Sequence, residues 1–200
     1  MKLWKLGALI VCVVAIVAIG YGAQMVRRGF SAKAEPSALE KTVARAVRNL
    51  AIPGDAKQAK NPVPATPENL AEGREHFADH CAECHGNDGS GDTEMGRNLY
   101  PKPPDLRLPQ TQNLTDGEIF YIIQNGVRLT GMPAWSESHD AVDNWRLALF
   151  IRHLPNLTPE EKKQMEALNP KGPDEEEGEH HDEGHGGTAP GHPAEEHHHH

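Results

Sequence analysis

Cys81-Ala82-Glu83-Cys84-His85 is a C-x-x-C-H pentapeptide in a chain with one other cysteine, Cys12. Two thiols three positions apart share one helical turn, so each can add across a haem vinyl group. The adjacent imidazole then falls under the iron as its proximal ligand. Rival uses of paired thiols lack their other parts. A zinc ribbon needs a second Cys pair, and Cys12 stands inside an apolar run. A thioredoxin-like pair needs a βαβ context, and no strand pattern of useful length occurs. The spacing points to one covalent haem c held by Cys81 and Cys84, with His85 on the iron.

The rest of the chain is sparing of core-forming residues. Of 200 residues, 37% are hydrophobic and 5% aromatic, while Gly and Pro number 19 and 16. One compact core with linkers and tails is expected. The net charge of −9 is unevenly spread. Residues 1–65 hold ten Lys/Arg against three Asp/Glu (+7), residues 66–155 seven against fourteen (−7), and residues 156–200 three against twelve (−9). An acidic domain and tail argue against nucleic acid as a partner.

Leu6 to Val26 is 21 residues without a charge, rich in Val, Ile, Leu and Ala. A helix of that length just crosses a bilayer core. Residues 1–30 are therefore read as a membrane anchor flanked by Lys2, Lys5, Arg27 and Arg28. A cleaved signal peptide is the competing reading, with small residues at Gly20-Tyr21-Gly22 and an A-x-A at Ala32-Lys33-Ala34. The positive-inside rule, counting Arg27, Arg28, Lys33, Lys41, Arg45 and Arg48 after the span, would place the C-terminal part of the chain in the cytoplasm. The haem motif points the other way.

Residues 31–65 read as a basic amphipathic helix and a linker. Ser37 and Glu40 form a capping box, and Leu39, Val43, Ala46, Val47 and Leu50 recur at helical spacing. Lys41, Arg45 and Arg48 take much of the remaining surface. Such a helix could lie on anionic lipid, dock to a membrane partner or pack onto the domain. Residues 51–65, with three prolines, read as linker. Thr66 and Pro67 suit the cap and first position of a helix running through Gly73 and Phe77 into the motif. Residues 86–112 show no period. Thr115 and Glu118 open a second helix, which stops near Asn125-Gly126, and Asp140 opens a third that ends before Pro155. Residues 156–170 predict a short C-terminal helix starting at Thr158-Pro159. Residues 171–200 form an acidic, His-rich tail expected to be disordered, with His180, His181, His185, His192 and His197 to His200 as possible divalent-metal ligands. The last four also look like the remnant of a purification tag.

Residues 66–155 resemble a class I c-type cytochrome, the small helical monohaem carriers. Cys-Ala-Glu-Cys-His-Gly at 81–86, followed by the loop Asp88-Gly89-Ser90-Gly91-Asp92, carries most of the resemblance. Gly131-Met132-Pro133-Ala134-Trp135 adds to it. In the family a methionine some forty or more residues past the histidine supplies the sixth iron ligand, which implies Met132 here. Bis-histidine ligation through His139 or His153 is the alternative, and Met95 and Met165 are poorly placed. Pro104-Asp105-Leu106 resembles the P-x-L loop, which implies that a proline carbonyl, Pro104 among three close prolines, accepts a hydrogen bond from His85. Gly73, Phe77, Leu147 and Phe150 resemble the family's crossed terminal helices.

The resemblance implies an all-α fold: a small class I cytochrome c-like domain around a covalent haem, with a transmembrane helix before it and a tail after it. It implies a membrane-tethered electron carrier and not an enzyme, or a haem subunit of a respiratory complex. The domain would face the periplasm from a bacterial inner membrane, and its partners would be redox proteins. A haem- or metal-responsive sensor using the His-rich tail is the alternative from another class.

Overall fold

The structure, a computed structural model, describes residues 3–29, 31–138 and 140–170. Helices dominate, and no strand occurs among the described residues. The apolar run forms α1 (Leu3–Arg28), and 25 of its residues are long and apolar enough to cross a membrane, with their side chains unburied. The other helices start where local chemistry predicts. α2 (Ala38–Ala51) opens on the Ser37–Glu40 capping box, whose carboxylate accepts from the Ser37 N–H at 2.7 Å. Next comes a short α3 (Gly54–Gln58). α4 (Pro67–His80) is capped by Thr66 with Pro67 at its first position. The motif itself is the turn α5 (Ala82–His85). Two more single turns, α6 (Glu94–Arg97) and α7 (Pro109–Gln112), interrupt the expected loop region. α8 (Asp116–Asn125) carries the Thr115–Glu118 box, and α9 (Ala141–His153) is capped by Asp140. A 3₁₀ turn (Leu154–Asn156) leads to α10 (Pro159–Leu168), capped by the Thr158–Glu161 box. Unpaired helix-end N–H groups are thus met by Ser, Thr and Asp side chains a few residues away, which is why these starts are readable locally.

The core lies where α4 crosses α9, with α8 packed on α9 and α10 on α4. Phe77, Leu147 and Phe150 are fully or almost fully buried, and the Phe77 and Phe150 rings meet at 5.4 Å and 57°. Gly73 makes the crossing close. A Cβ there would stand 2.4 Å from the Arg146 carbonyl oxygen and 3.2 Å from the Phe150 Cβ. Gly73→Val is accordingly expected to force the helices apart and cost about 2–3 kcal/mol, read as a lowered urea midpoint. An unchanged midpoint would mean the two helices do not cross at Gly73.

Two segments outside residues 66–155 make contacts with them. The first is residues 51–65. Ile52 is buried, α3 packs on α8, and the Asn61 side-chain amide donates to the Trp145 carbonyl at 2.9 Å. The second is residues 156–170, where Met165 of α10 is fully buried in the core. Asn87 and Asn169 are also joined by two hydrogen bonds of 2.9 Å, which close α10 onto the motif loop. His139 and the tail 171–200 lie outside the described residues, and with them the expected metal ligands of the tail. Among the described residues no group of three or more His, Cys, Asp or Glu could hold a metal ion.

Candidate haem site

The motif turn is held from both sides. The Cys81 and Gly86 N–H groups donate to Phe77 and Ala82, continuing the helical ladder of α4 into α5. The Gly91 N–H donates to the His85 carbonyl at 2.7 Å, and the Thr93 hydroxyl to the Glu83 carbonyl at 2.7 Å. The Leu106 N–H donates to the Gly89 carbonyl at 2.8 Å, which brings the proline-rich loop against the motif. Arg107 clamps that loop, donating to Asp105 at 2.8 and 2.9 Å and pairing with Asp88.

These restraints position one wall of a cavity of about 460 Å³. Cys81, Cys84 and His85 line it, as do Pro104 and Met132. Its other walls are mostly apolar, with Phe77 and Leu106 near the motif and Ile119 and Ile123 on α8. Size and lining suit a large apolar cofactor. Burial pushes the Cys81 thiol up to about 12, with Cys84 adding to the shift, and burial and then Glu83 raise Cys84. Both cysteines are thus held as neutral thiols. Burial also pushes His85 down to about 4, against an opposing contribution from the Pro104 backbone. The imidazole is therefore neutral, the form that ligates metal. Its buried Nδ1 has no partner at hydrogen-bonding geometry, although the Pro104 backbone lies close enough to act on the ring. Thiols, neutral imidazole and thioether around one apolar space fit a haem c.

Met132 reaches the cavity from a loop pinned to the end of α8. Gly126 ends that helix at φ +64°, and the Val127 N–H donates to the Met132 carbonyl at 3.1 Å. The Trp135 N–H closes back on the Ile123 carbonyl at 3.1 Å. The rival ligands are elsewhere. Met95 is exposed and Met165 is buried in the core, and neither lines the cavity. His153 does not line it and pairs with Glu161 at 2.8 Å. The bis-histidine alternative through His153 is thus set aside on geometry, while His139 is outside the described residues.

α2 leaves its apolar face exposed. Its apolar residues Leu39, Val43, Val47 and Leu50 form an exposed ridge, while the opposite face, with Lys41, Ala44, Arg45 and the half-buried Arg48, borders the cavity. No residue of α2 is buried, and Glu40, Arg48 and Asn49 are its half-buried ones. Lys102, beside the prolines, lines the cavity as well. Nothing in the sequence marks these cations as site residues except the spacing of Lys41, Arg45 and Arg48, which places them on one helix face.

Residues 68–151 match the family model described as cytochrome C oxidase, cbb3-type, subunit III. No curated protein matches the chain. Among solved structures, a chain of the reducing HAO-like protein complex of Kuenenia stuttgartiensis is 20% identical, with a TM-score of 0.42, over 46% of this chain and 46% of its own length. The chain spans less than half of that protein. The matched segment contains both thiols, the neutral imidazole and the thioether that meet in the cavity. With the motif, the helical fold and the family match in agreement, residues 68–151 are a c-type cytochrome domain.

Proposed function

We propose that the chain is a membrane-tethered carrier with a single covalent haem, passing electrons one at a time between redox proteins. The convergence of Cys81, Cys84, His85 and Met132 on one cavity carries this reading. Cys81 and Cys84 would hold the haem by thioethers, and His85 and Met132 would take its two axial positions. The haem, when bound, supplies one-electron Fe(III)/Fe(II) chemistry. The neutral His85 offers a strong nitrogen donor, and the Met132 thioether a soft, uncharged one that favours the reduced metal. Apolar walls such as Ile119 and Ile123 exclude water. With His85 and Met132 both holding the iron, no position would be left there for a substrate, which argues for outer-sphere transfer. The description of the matched family as an oxidase subunit supports the variant in which the chain is a fixed haem subunit of a larger respiratory complex.

α1 would be the tether, in a bacterial inner membrane with the cytochrome domain in the periplasm. Confinement beside membrane partners raises the effective concentration for each encounter. The visible spectrum of the oxidised protein tests the ligation: a weak band at the red end marks sulfur on iron. The tether has its own test. Deleting residues 1–29 is expected to release a soluble protein with an unchanged haem spectrum and unchanged exchange with a small mediator. Its turnover with native membranes should fall about tenfold or more. A mature amino terminus near Ala34 in the full-length protein would replace the tether by a cleaved signal peptide.

A further inference from the structure

The face of α2 that lines the cavity lies outside the matched segment 68–151 and carries an excess of positive charge. At about 100° per residue, Lys41, Arg45 and Arg48 stand opposite the exposed ridge of Leu39, Val43, Val47 and Leu50. Glu35, also on the cavity wall, pairs with Lys41 at 3.7 Å and with Lys102. Asp105, the other carboxylate on that wall, is held by Arg107. Arg45 and Arg48 make no ion pair with a carboxylate among the described residues. Arg48 is half-buried and donates through Nε and Nη2 to the Asn49 side-chain oxygen at 3.2 and 3.1 Å. Burial and the neighbouring Arg45 both disfavour its charge, and Glu118 only partly opposes them. The half-buried Arg48 guanidinium, beside a largely apolar cavity and without a carboxylate of its own, is costly unless an anion completes the site, and the exposed Arg45 next to it has no carboxylate either.

Haem is a macrocycle with two carboxylate side chains, and a guanidinium is the side chain best shaped to take a carboxylate through two parallel N–H bonds. We propose that Arg45 and Arg48, flanked by Lys41 and Lys102, bind the two haem propionates. α2 is then a strap, supplied from outside the cytochrome domain, that closes the cofactor cavity. The proposal rests on the haem reading of that cavity. It also accounts for the orientation of the helix: the basic face borders the cavity, so the apolar ridge is left outside.

Propionates held by guanidinium groups stay ionised to low pH, since an opposite charge within a few ångströms lowers a carboxyl pKa by about 1–3 units. Any pH dependence of the haem potential that comes from their titration is therefore displaced to acid. The other titratable side chains on the wall are Glu35, Asp105, His80, Cys81, Cys84 and His85. All of them remain in the variants used, so they cancel in the comparison.

The test uses the haem-loaded full chain and tracks midpoint potential against pH. In Arg45→Gln/Arg48→Gln the inflection of that curve should move up by about 1–3 pH units, and Arg45→Lys/Arg48→Lys should restore most of the difference. Lys57→Gln/Lys60→Gln removes the same charge from residues that do not line the cavity and should leave the inflection in place. A glutamine curve that superimposes on wild type, or on the Lys57/Lys60 control, overturns the strap while leaving the electron-carrier reading intact. A wild-type chain that carries no haem overturns both. Should the glutamine chain fail to load haem, redox-difference infrared spectra of the wild type decide. Propionates ionised at pH 5 support the proposal, and propionates that protonate at or above pH 5 overturn it.

Discussion

The Cys81→Ala/Cys84→Ala chain is expected to lose covalent haem completely, so that acidified acetone strips all of the pigment from the protein. Each thioether needs a thiol beside a vinyl group, and only these two cysteines line the cavity. Cys12 stands on α1 and does not. Either single substitution should leave one attachment and a shifted spectrum, because one side of the macrocycle remains tied. His85→Ala should keep both thiols but lose the strong-field nitrogen donor, giving high-spin haem that binds added imidazole. The readout is haem staining on a denaturing gel beside the visible spectrum of the native protein. Staining retained at wild-type intensity by the double alanine chain would mean that the attachment is elsewhere. The loss should also destabilise the fold, because a domain of this size buries little surface on its own and an apolar cofactor would add to the core that Phe77, Leu106 and Ile123 already share.

How much of the fold and site is legible from the sequence depends on how local each cause is. The starts of α2, α4, α8, α9 and α10 rest on a capping side chain at most three residues from its backbone partner, and all five lie where Ser37, Thr66, Thr115, Asp140 and Thr158 place them. The motif is legible for the same reason, since its chemistry needs only one helical turn. The misread features are non-local. Residues 51–65 look like linker by composition, and their packing depends on partners such as Trp145, 84 positions from Asn61 in the sequence. Met165 reads as a residue of an appended helix until α10 is seen folded against α4. The orientation of α2 is beyond any periodicity argument. Periodicity separates an apolar face from a charged one and does not say which of the two borders the cavity. Truncation is constrained accordingly. A chain begun at Thr66 would discard Ile52, Asn61 and the Arg45–Arg48 wall, so a soluble form should begin before α2.

Met132→Ala is expected to convert a closed haem into an open one while both thioethers remain. Without the thioether the sixth position falls to water. The protein should then bind carbon monoxide when reduced and cyanide when oxidised, lose the weak red band, and show a much lower potential. Met95→Leu, at an exposed position away from the cavity, should change none of these. A wild-type spectrum and potential in Met132→Ala would remove Met132 as the ligand and make His139 the next residue to replace. Gly126 offers a second route to the same state that leaves the sulfur in the chain. Its φ of +64° disfavours any side chain, and a Cβ there would stand 2.6 Å from the Pro133 carbonyl carbon and 2.7 Å from both the Ala134 nitrogen and the Met132 carbonyl oxygen. All three contacts are backbone, so the loop that presents Met132 must move as a unit. Gly126→Val should therefore reproduce the carbon monoxide binding and lost red band of Met132→Ala with covalent haem unchanged. If Gly126→Val keeps a closed, sulfur-ligated haem, the contact of that loop with the end of α8 is not what sets the ligand in place.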